Sequence, residues 1–99
     1  MATVYILYSE KINHYYIGSC LDLNVRLEEH KTGKYDDAFT SRSDDWKVCY
    51  ELPDLSYEMA RKIETHIKKM KSKKYIENLM RYPEMSQKLT EKYIAGSSR

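Results

Sequence analysis

Val4 to Tyr8 is a run of aliphatic, β-branched and aromatic residues, followed by a polar stretch from Ser9 to His14 and a second apolar run from Tyr15 to Ile17. Two such runs around a short polar connection predict a β-hairpin, closed by Gly18. Asp22 stands where a helix N-cap belongs, ahead of Leu23, Val25 and Leu27, so a helix is expected to about Thr32 with Gly33 as its stop. Lys34 to Asp45 is polar, with only Tyr35 and Phe39 as apolar anchors, and reads as a long irregular loop of the kind that carries function. Trp46, Val48 and Tyr50 alternate with Lys47, Cys49 and Glu51, the period of a half-buried strand that Pro53 is expected to end.

Ser56 is placed to cap a helix in which Tyr57, Ala60, Ile63, Ile67 and Met70 recur at helical spacing. A shorter helix is expected over Lys73 to Met80, another from Pro83 and Glu84 to Tyr93, and a frayed tail from Ala95 to Arg99. The order β-β-α-β-α plus C-terminal helices predicts an α+β fold: a small mixed or antiparallel sheet of about three strands, flanked by helices. A chain of 99 residues makes one domain with one modest core. We place that domain at residues 1–82 and a C-terminal helical extension and tail at 83–99.

No stretch approaches the ~18 apolar residues of a membrane span, and Met1 to Glu10 lacks the basic and apolar regions of a secretory signal, so no membrane partner and a cytoplasmic location are expected. The net charge of +2 hides an asymmetry. Residues 1–55 carry six Lys and Arg against ten Asp and Glu, a net −4, whereas residues 56–99 carry eleven against five, a net +6. A polyanion meeting the C-terminal half is one reading, and long solvated helices are the other. Cys20 and Cys49 lack zinc-site spacing and read as small buried apolar residues.

Three features break this bland pattern. Glu64 falls between Tyr57 and Ala60 on the helical wheel, near the middle of an apolar stripe. A carboxylate there needs a partner, which is either a neighbouring Arg or Lys or a hard divalent ion held by one or two carboxylates, water and phosphate. Leu23, Arg26, Leu27 and His30 share an arc of roughly 100°, which puts a guanidinium and an imidazole on the face that should meet the sheet. Arg26 suits phosphate, but an ion pair with Glu28, Glu29 or Glu64 and a hydrogen-bonded rim histidine are equally consistent with the spacing. Tyrosine, finally, occurs ten times. Tyr5 and Tyr16 lie mid-strand in the hairpin, where a rigid sheet either aims two hydroxyls at one point or packs two rings.

Val4-Tyr5-Ile6, Tyr16-Ile17-Gly18, Arg26 and His30 in the segment Arg26 to His30, and Glu64 in the segment Ala60 to Glu64 together resemble, in order and spacing, the GIY-YIG nuclease family. The likeness spans about Thr3 to Leu79 and is closest to small stand-alone bacterial members, which share the catalytic module of the excision-repair nuclease subunit. Val4 replaces the first glycine of the name motif, and Ser19 stands where some relatives carry a lysine. The resemblance implies the GIY-YIG fold for residues 1–82 and a phosphodiester hydrolase acting on DNA in repair or recombination. It implies one magnesium or manganese ion at Glu64, no organic cofactor, and a catalytic set of Tyr5, Tyr16, Arg26, His30 and Glu64. In that scheme Arg26 neutralises phosphoryl charge, Tyr5 takes the proton of the attacking water directly or by relay, Tyr16 orients it, and His30 supports Arg26 or the proton path. A phenol with an ordinary pKa near ~10 is a poor base at neutral pH, so the arginine and the metal are needed beside it. The products implied are a 5′-phosphate and a 3′-hydroxyl.

Nucleic-acid contact is expected from Arg61, Lys68, Lys69, Lys71, Lys73 and Lys74, with Lys62 beside them. Arg42, in the long loop with Tyr35, Phe39, Thr40 and Ser41, is expected to bear on base or junction preference. The alternative is a non-catalytic nucleic-acid-binding or partner-recruiting module on the same fold, and the sequence leaves the oligomeric state open.

Overall fold

The structure, a computed structural model, describes residues 1–32 and 43–93, with side chains through Glu29 in the first segment. The elements are β1 (Ala2–Ser9), β2 (His14–Cys20), α1 (Leu23–Thr32), β3 (Lys47–Leu55), α2 (Tyr57–Met70), α3 (Lys73–Arg81) and α4 (Pro83–Tyr93). Most of the expected loop, Gly33 and the expected tail from Ala95 to Arg99 lie outside the described residues.

The sheet is antiparallel, ordered β2-β1-β3. β1 is central and covered on both faces, which explains why it reads as a continuous apolar run rather than an alternation. Tyr5, Leu7 and Cys20 form one cluster with Leu23 and Leu27 of α1. Val4 and Ile6 face the other way, against Met59, Ala60, Ile63 and Ile67 of α2, Ile76 and Leu79 of α3 and Leu89 of α4. The result is an α+β fold in three layers, in which α4 contributes Leu89 to the shared core rather than trailing from it.

Helix starts follow the expected caps. The Asp22 carboxylate accepts from Val25 N at 3.2 Å, and Ser56 Oγ accepts from Met59 N at 3.1 Å. α2 ends at Lys71 in the left-handed conformation, its N–H donating to Lys68 O at 3.3 Å. The burial of α2 is confined to Met59–Ile67, so Tyr57 and Met70, expected to continue the stripe, are 52% and 43% exposed at the helix ends.

Strand β3 departs from expectation twice. Ile6 pairs with Tyr50 but Leu7 pairs with Val48, which leaves Cys49 as an extra residue. That bulge reverses the alternation: Val48 and Trp46 pack on the α1 side, while Tyr50 and Cys49 pack on the α2 side. The strand also passes Pro53 and runs to Leu55, because β3 is an edge where a missing N–H breaks no ladder bond. A second register shift, between Ala2 and Val4, accompanies Asp54 at φ 64°.

The far end of β1 is fastened by a carboxylate. Ser9, fully buried, and Ser43 both hydrogen-bond Asp45 Oδ1 at 2.5 Å, and Lys11 N donates to Oδ2 at 3.1 Å. The hairpin turn is thereby tied to the entry of β3. The hydrogen bonds from Ser43 and Ser9 hold the Asp45 carboxyl well below the usual carboxylate range. A depressed folded-state pKa means that this stabilisation is complete above the unfolded value near ~3.9 and is lost as pH falls below it. We expect the thermal midpoint to drop on acidification below about pH 4, and Asp45→Asn to flatten part of that drop. Parallel wild-type and variant profiles in pH-dependent calorimetry would rule Asp45 out as the source.

Gly18 sets the position of a phenol. It pairs with Tyr5 across the β1–β2 ladder, and a Cβ on Gly18 would lie 2.6 Å from Tyr5 Oη and 2.7 Å from Cζ. Tyr5 is fully buried and has no room to retreat. Gly18→Ala should therefore cost about 1–3 kcal/mol by overpacking and lower the melting temperature by several degrees. An unchanged melting temperature would show that the ring can move aside.

Candidate functional site

Adjacent residues of a strand point to opposite faces, and at the end of β2 this divides the candidate groups between two sides of the sheet. Gly18 faces the α1 side, under Tyr5. Tyr16, half-buried on the same side, has its ring centroid 6.4 Å from that of Tyr5 and 6.4 Å from that of Trp46, the latter edge-on. The two phenols expected to act together are therefore neighbours. They are not equivalent, because Tyr5 has no exposed surface while Tyr16 keeps some.

Ser19 faces the α2 side and donates from Oγ to Glu64 Oε1 at 2.5 Å. The Glu64 side chain is 15% exposed, and its other oxygen meets Lys68 Nζ at 2.7 Å, with Arg61 Nε at 3.9 Å from Oε1. The helical wheel asks for a partner to this carboxylate, and the helix itself supplies cations one turn before and one turn after. Ser19, noted in the sequence only as a place where a lysine is missing, proves to be the residue that ties α2 to β2. The one available signal was a polar residue following Gly18 in an otherwise apolar strand.

Glu64 is also compatible with a divalent ion. Among the described residues no three His, Cys, Asp or Glu side chains converge, so an ion here would be a one-carboxylate site. Magnesium accepts such sites, keeping its waters and taking the remaining oxygens from phosphate. Lys68, with half of its side chain exposed, is free to swing out to solvent and release Oε2.

Arg26 opens the space between these two sides. It lines a hollow of about 430 Å³ with Ser19, Cys20, Asp22, Glu29 and Tyr57, at the exposed edge of β2. Its Nε lies 3.3 Å from Glu29 Oε1, an i,i+3 pair on the helix surface. Arg26 and Ser19 both line the hollow, and Ser19 hydrogen-bonds Glu64, which is itself not among the lining residues. Neither phenol is among its lining residues. His30 belongs to α1, and both its side chain and Arg42 lie outside the described residues.

The expected nucleic-acid contacts are distributed more unevenly. Arg61, Lys68, Lys69, Lys71, Lys73 and Lys74 are all exposed. Lys73 Nζ, however, donates to Asn13 O at 2.9 Å and staples α3 to the hairpin turn, and Lys62 pairs with Glu58 at 3.6 Å. Cys20 and Cys49 are free, and burial pushes both thiols up, Cys49 to about 11, so neither is a nucleophile at neutral pH. Tyr57, His66, Lys92 and Tyr93 were not singled out by the sequence; they gather around a second, larger hollow on the far side of α2.

Among the described residues no helix is long and apolar enough to cross a membrane. No curated protein and no solved structure gives a significant match to the chain. The profile of the GIY-YIG catalytic domain matches residues 1–77. Domains of that kind are nucleases in general and typically use divalent metal ions. With the match covering most of the chain and the three-stranded antiparallel sheet in agreement with it, the protein belongs to the GIY-YIG catalytic-domain family.

Proposed function

We propose that this chain is a metal-dependent endonuclease that hydrolyses DNA phosphodiester bonds in repair or recombination, with residues 1–82 as the nuclease module and α4 docked upon it. The observation that carries the reading is the Ser19–Glu64 hydrogen bond, which joins the carboxylate of α2 to the wall of the hollow lined by Arg26. A phosphate seated at the β2 edge meets a guanidinium from one helix and lies beside a carboxylate from the other.

Glu64 would hold one magnesium or manganese ion, which supplies positive charge at the scissile phosphate. Arg26 offers paired donors to the non-bridging oxygens and exchanges Glu29 for them. Water adds to phosphorus and the bond to the 3′ oxygen breaks, leaving a 5′-phosphate and a 3′-hydroxyl. Burial supports a division of labour between the phenols that differs from the one the resemblance implies. Tyr5, sealed from solvent, holds the pair in place, and Tyr16 is the phenol that meets the water. His30 supports Arg26, the lysines of α2 and α3 contact the DNA backbone, and Arg42 bears on base or junction preference.

Glu64→Gln and Arg26→Ala should each lower magnesium-dependent cleavage of nicked or branched DNA by about 10²–10³-fold, the usual loss when one charge-stabilising group is removed. Circular dichroism should stay native, and Tyr16→Phe should cost more in kcat than Tyr5→Phe. Equal rates for wild type and Glu64→Gln would end the enzymatic reading and leave a binding module on the same fold.

A further inference from the structure

Between α2 and α4 lies a hollow of about 1030 Å³, at the upper end of the ~300–1,000 Å³ typical of sites that enclose a ligand. Its contents are cations and aromatic rings. Arg61, Lys62, Lys69 and Lys92 line it against one carboxylate, Glu58, which is already paired with Lys62 at 3.6 Å. Tyr57 and Tyr93 supply the rings. The Arg61 guanidinium carbon is 5.8 Å from the centroid of Tyr57, and Lys92 Nζ is 5.5 Å from that of Tyr93. Tyr93 is further fixed by His66, whose Nδ1 lies 3.0 Å from the phenol oxygen.

We infer that this hollow receives an unpaired DNA strand continuing from the scissile phosphate, so that the substrate class is DNA with a single-stranded segment next to the cut. The inference rests on the nuclease reading above and gives it a substrate. Two observations carry it. The first is chemical: a single strand presents base faces as well as phosphates, and rings interleaved with cations satisfy both. A duplex hides its base faces, so the rings of this hollow gain no stacking from it.

The second observation is continuity. Tyr57 lines both this hollow and the one that holds Arg26, and it is 52% exposed between them. Arg61 donates to Tyr57 Oη at 3.0 Å and also approaches Glu64 at 3.9 Å. A strand leaving the phosphate at the β2 edge therefore crosses Tyr57 and Arg61 before it enters the hollow. Burial and the nearby Lys92 and Lys69 hold the His66 imidazole below its ordinary pKa, so at neutral pH it anchors Tyr93 without adding charge.

The test is fluorescence polarisation of a labelled oligothymidylate of ~10 nucleotides, within the usual span of a single-strand site, against a blunt duplex of the same length, without divalent metal. Full-length wild type and Glu64→Gln should both bind the single strand about tenfold or more tighter than the duplex. Tyr57→Ala, at an exposed position, should weaken the single strand by roughly tenfold, as for one lost stacked base. The double variant Lys69→Ser, Lys92→Ser should reduce the salt slope of that binding by about 1.4, for two lost phosphate contacts. Equal affinity for the two DNAs, or a Tyr57→Ala variant that binds like wild type, overturns the inference even if the enzyme cuts DNA. Tight strand binding by a protein that cuts nothing upholds the strand site and removes the nuclease reading instead.

Discussion

The geometry of the candidate site depends on two consecutive residues of an edge strand that face opposite ways. Gly18 has no side chain, and that vacancy is filled by the ring of Tyr5 from the central strand. Ser19, one residue on, turns to the other face and binds the carboxylate of Glu64. The sheet is one layer thick at this point, and β2 is its border. A ligand at the border is therefore within reach of groups from both faces, and neither helix has to cross the sheet. Moving the pair one position along β2 would exchange the faces, placing a hydroxyl under the phenol and nothing opposite Glu64. The β1–β2 register, fixed by seven consecutive pairs from Thr3–Cys20 to Ser9–His14, keeps that from happening.

Glu64 illustrates how a mostly buried carboxylate finds partners without a cage. Isolated, it would carry a large desolvation cost. Ser19 donates to one oxygen and Lys68 to the other, and Arg61 adds a second positive group at longer range. Of these, Ser19 is the firmest partner, because it sits on a strand and has a short side chain. Lys68 is a partner of a different kind, with a long stem and half its side chain in water, and a surface pair of that sort contributes little net stability. The carboxylate is thus oriented by one partner and neutralised by another that leaves at small cost. In the proposed nuclease, that combination would let the carboxylate exchange its counter-ion.

Much of this was legible in the sequence. Caps at Asp22 and Ser56, the helical spacing from Ala60 to Ile67 and the paired apolar runs of the hairpin are local signals, and local hydrogen bonds and periodicity decide them. What the sequence misplaced depends on partners distant along the chain. The alternation of Trp46, Val48 and Tyr50 looked unbroken, yet the bulge at Cys49 becomes visible only once Ile6 and Leu7 are known as the pairing residues. Pro53 ends a strand only where the lost N–H had a partner, and edge position is a property of the sheet. Within the site, Tyr5, Tyr16, Arg26 and Glu64 could be picked out because each is an unusual residue for its element. Ser19 showed only as a polar residue after Gly18, and it acquires its meaning from the carboxylate it meets.

The charge asymmetry along the chain now has a spatial counterpart. The acidic first part builds all three strands and α1, and two of its carboxylates fasten the hairpin turn to the entry of β3, Asp45 with Ser9 and Ser43 and Asp44 with Lys11 at 2.6 Å. The basic second part spreads its lysines over α2, α3 and α4, and several of them are committed: Lys68 to Glu64, Lys73 to the hairpin turn and Lys62 to Glu58. Counting lysines therefore overstates the surface offered to a polyanion. The cations that combine with rings are those between α2 and α4, where Arg61 and Lys92 lie near tyrosines. A smooth basic patch attracts any polyanion in proportion to its charge density, which favours duplex over single strand. Rings among the cations change that ranking, because stacking energy is available only to a base that has left its partner. In the proposed strand site, selectivity for unpaired DNA would follow from where the aromatics of α2 and α4 stand, and the net charge would set only how strongly the strand is drawn in.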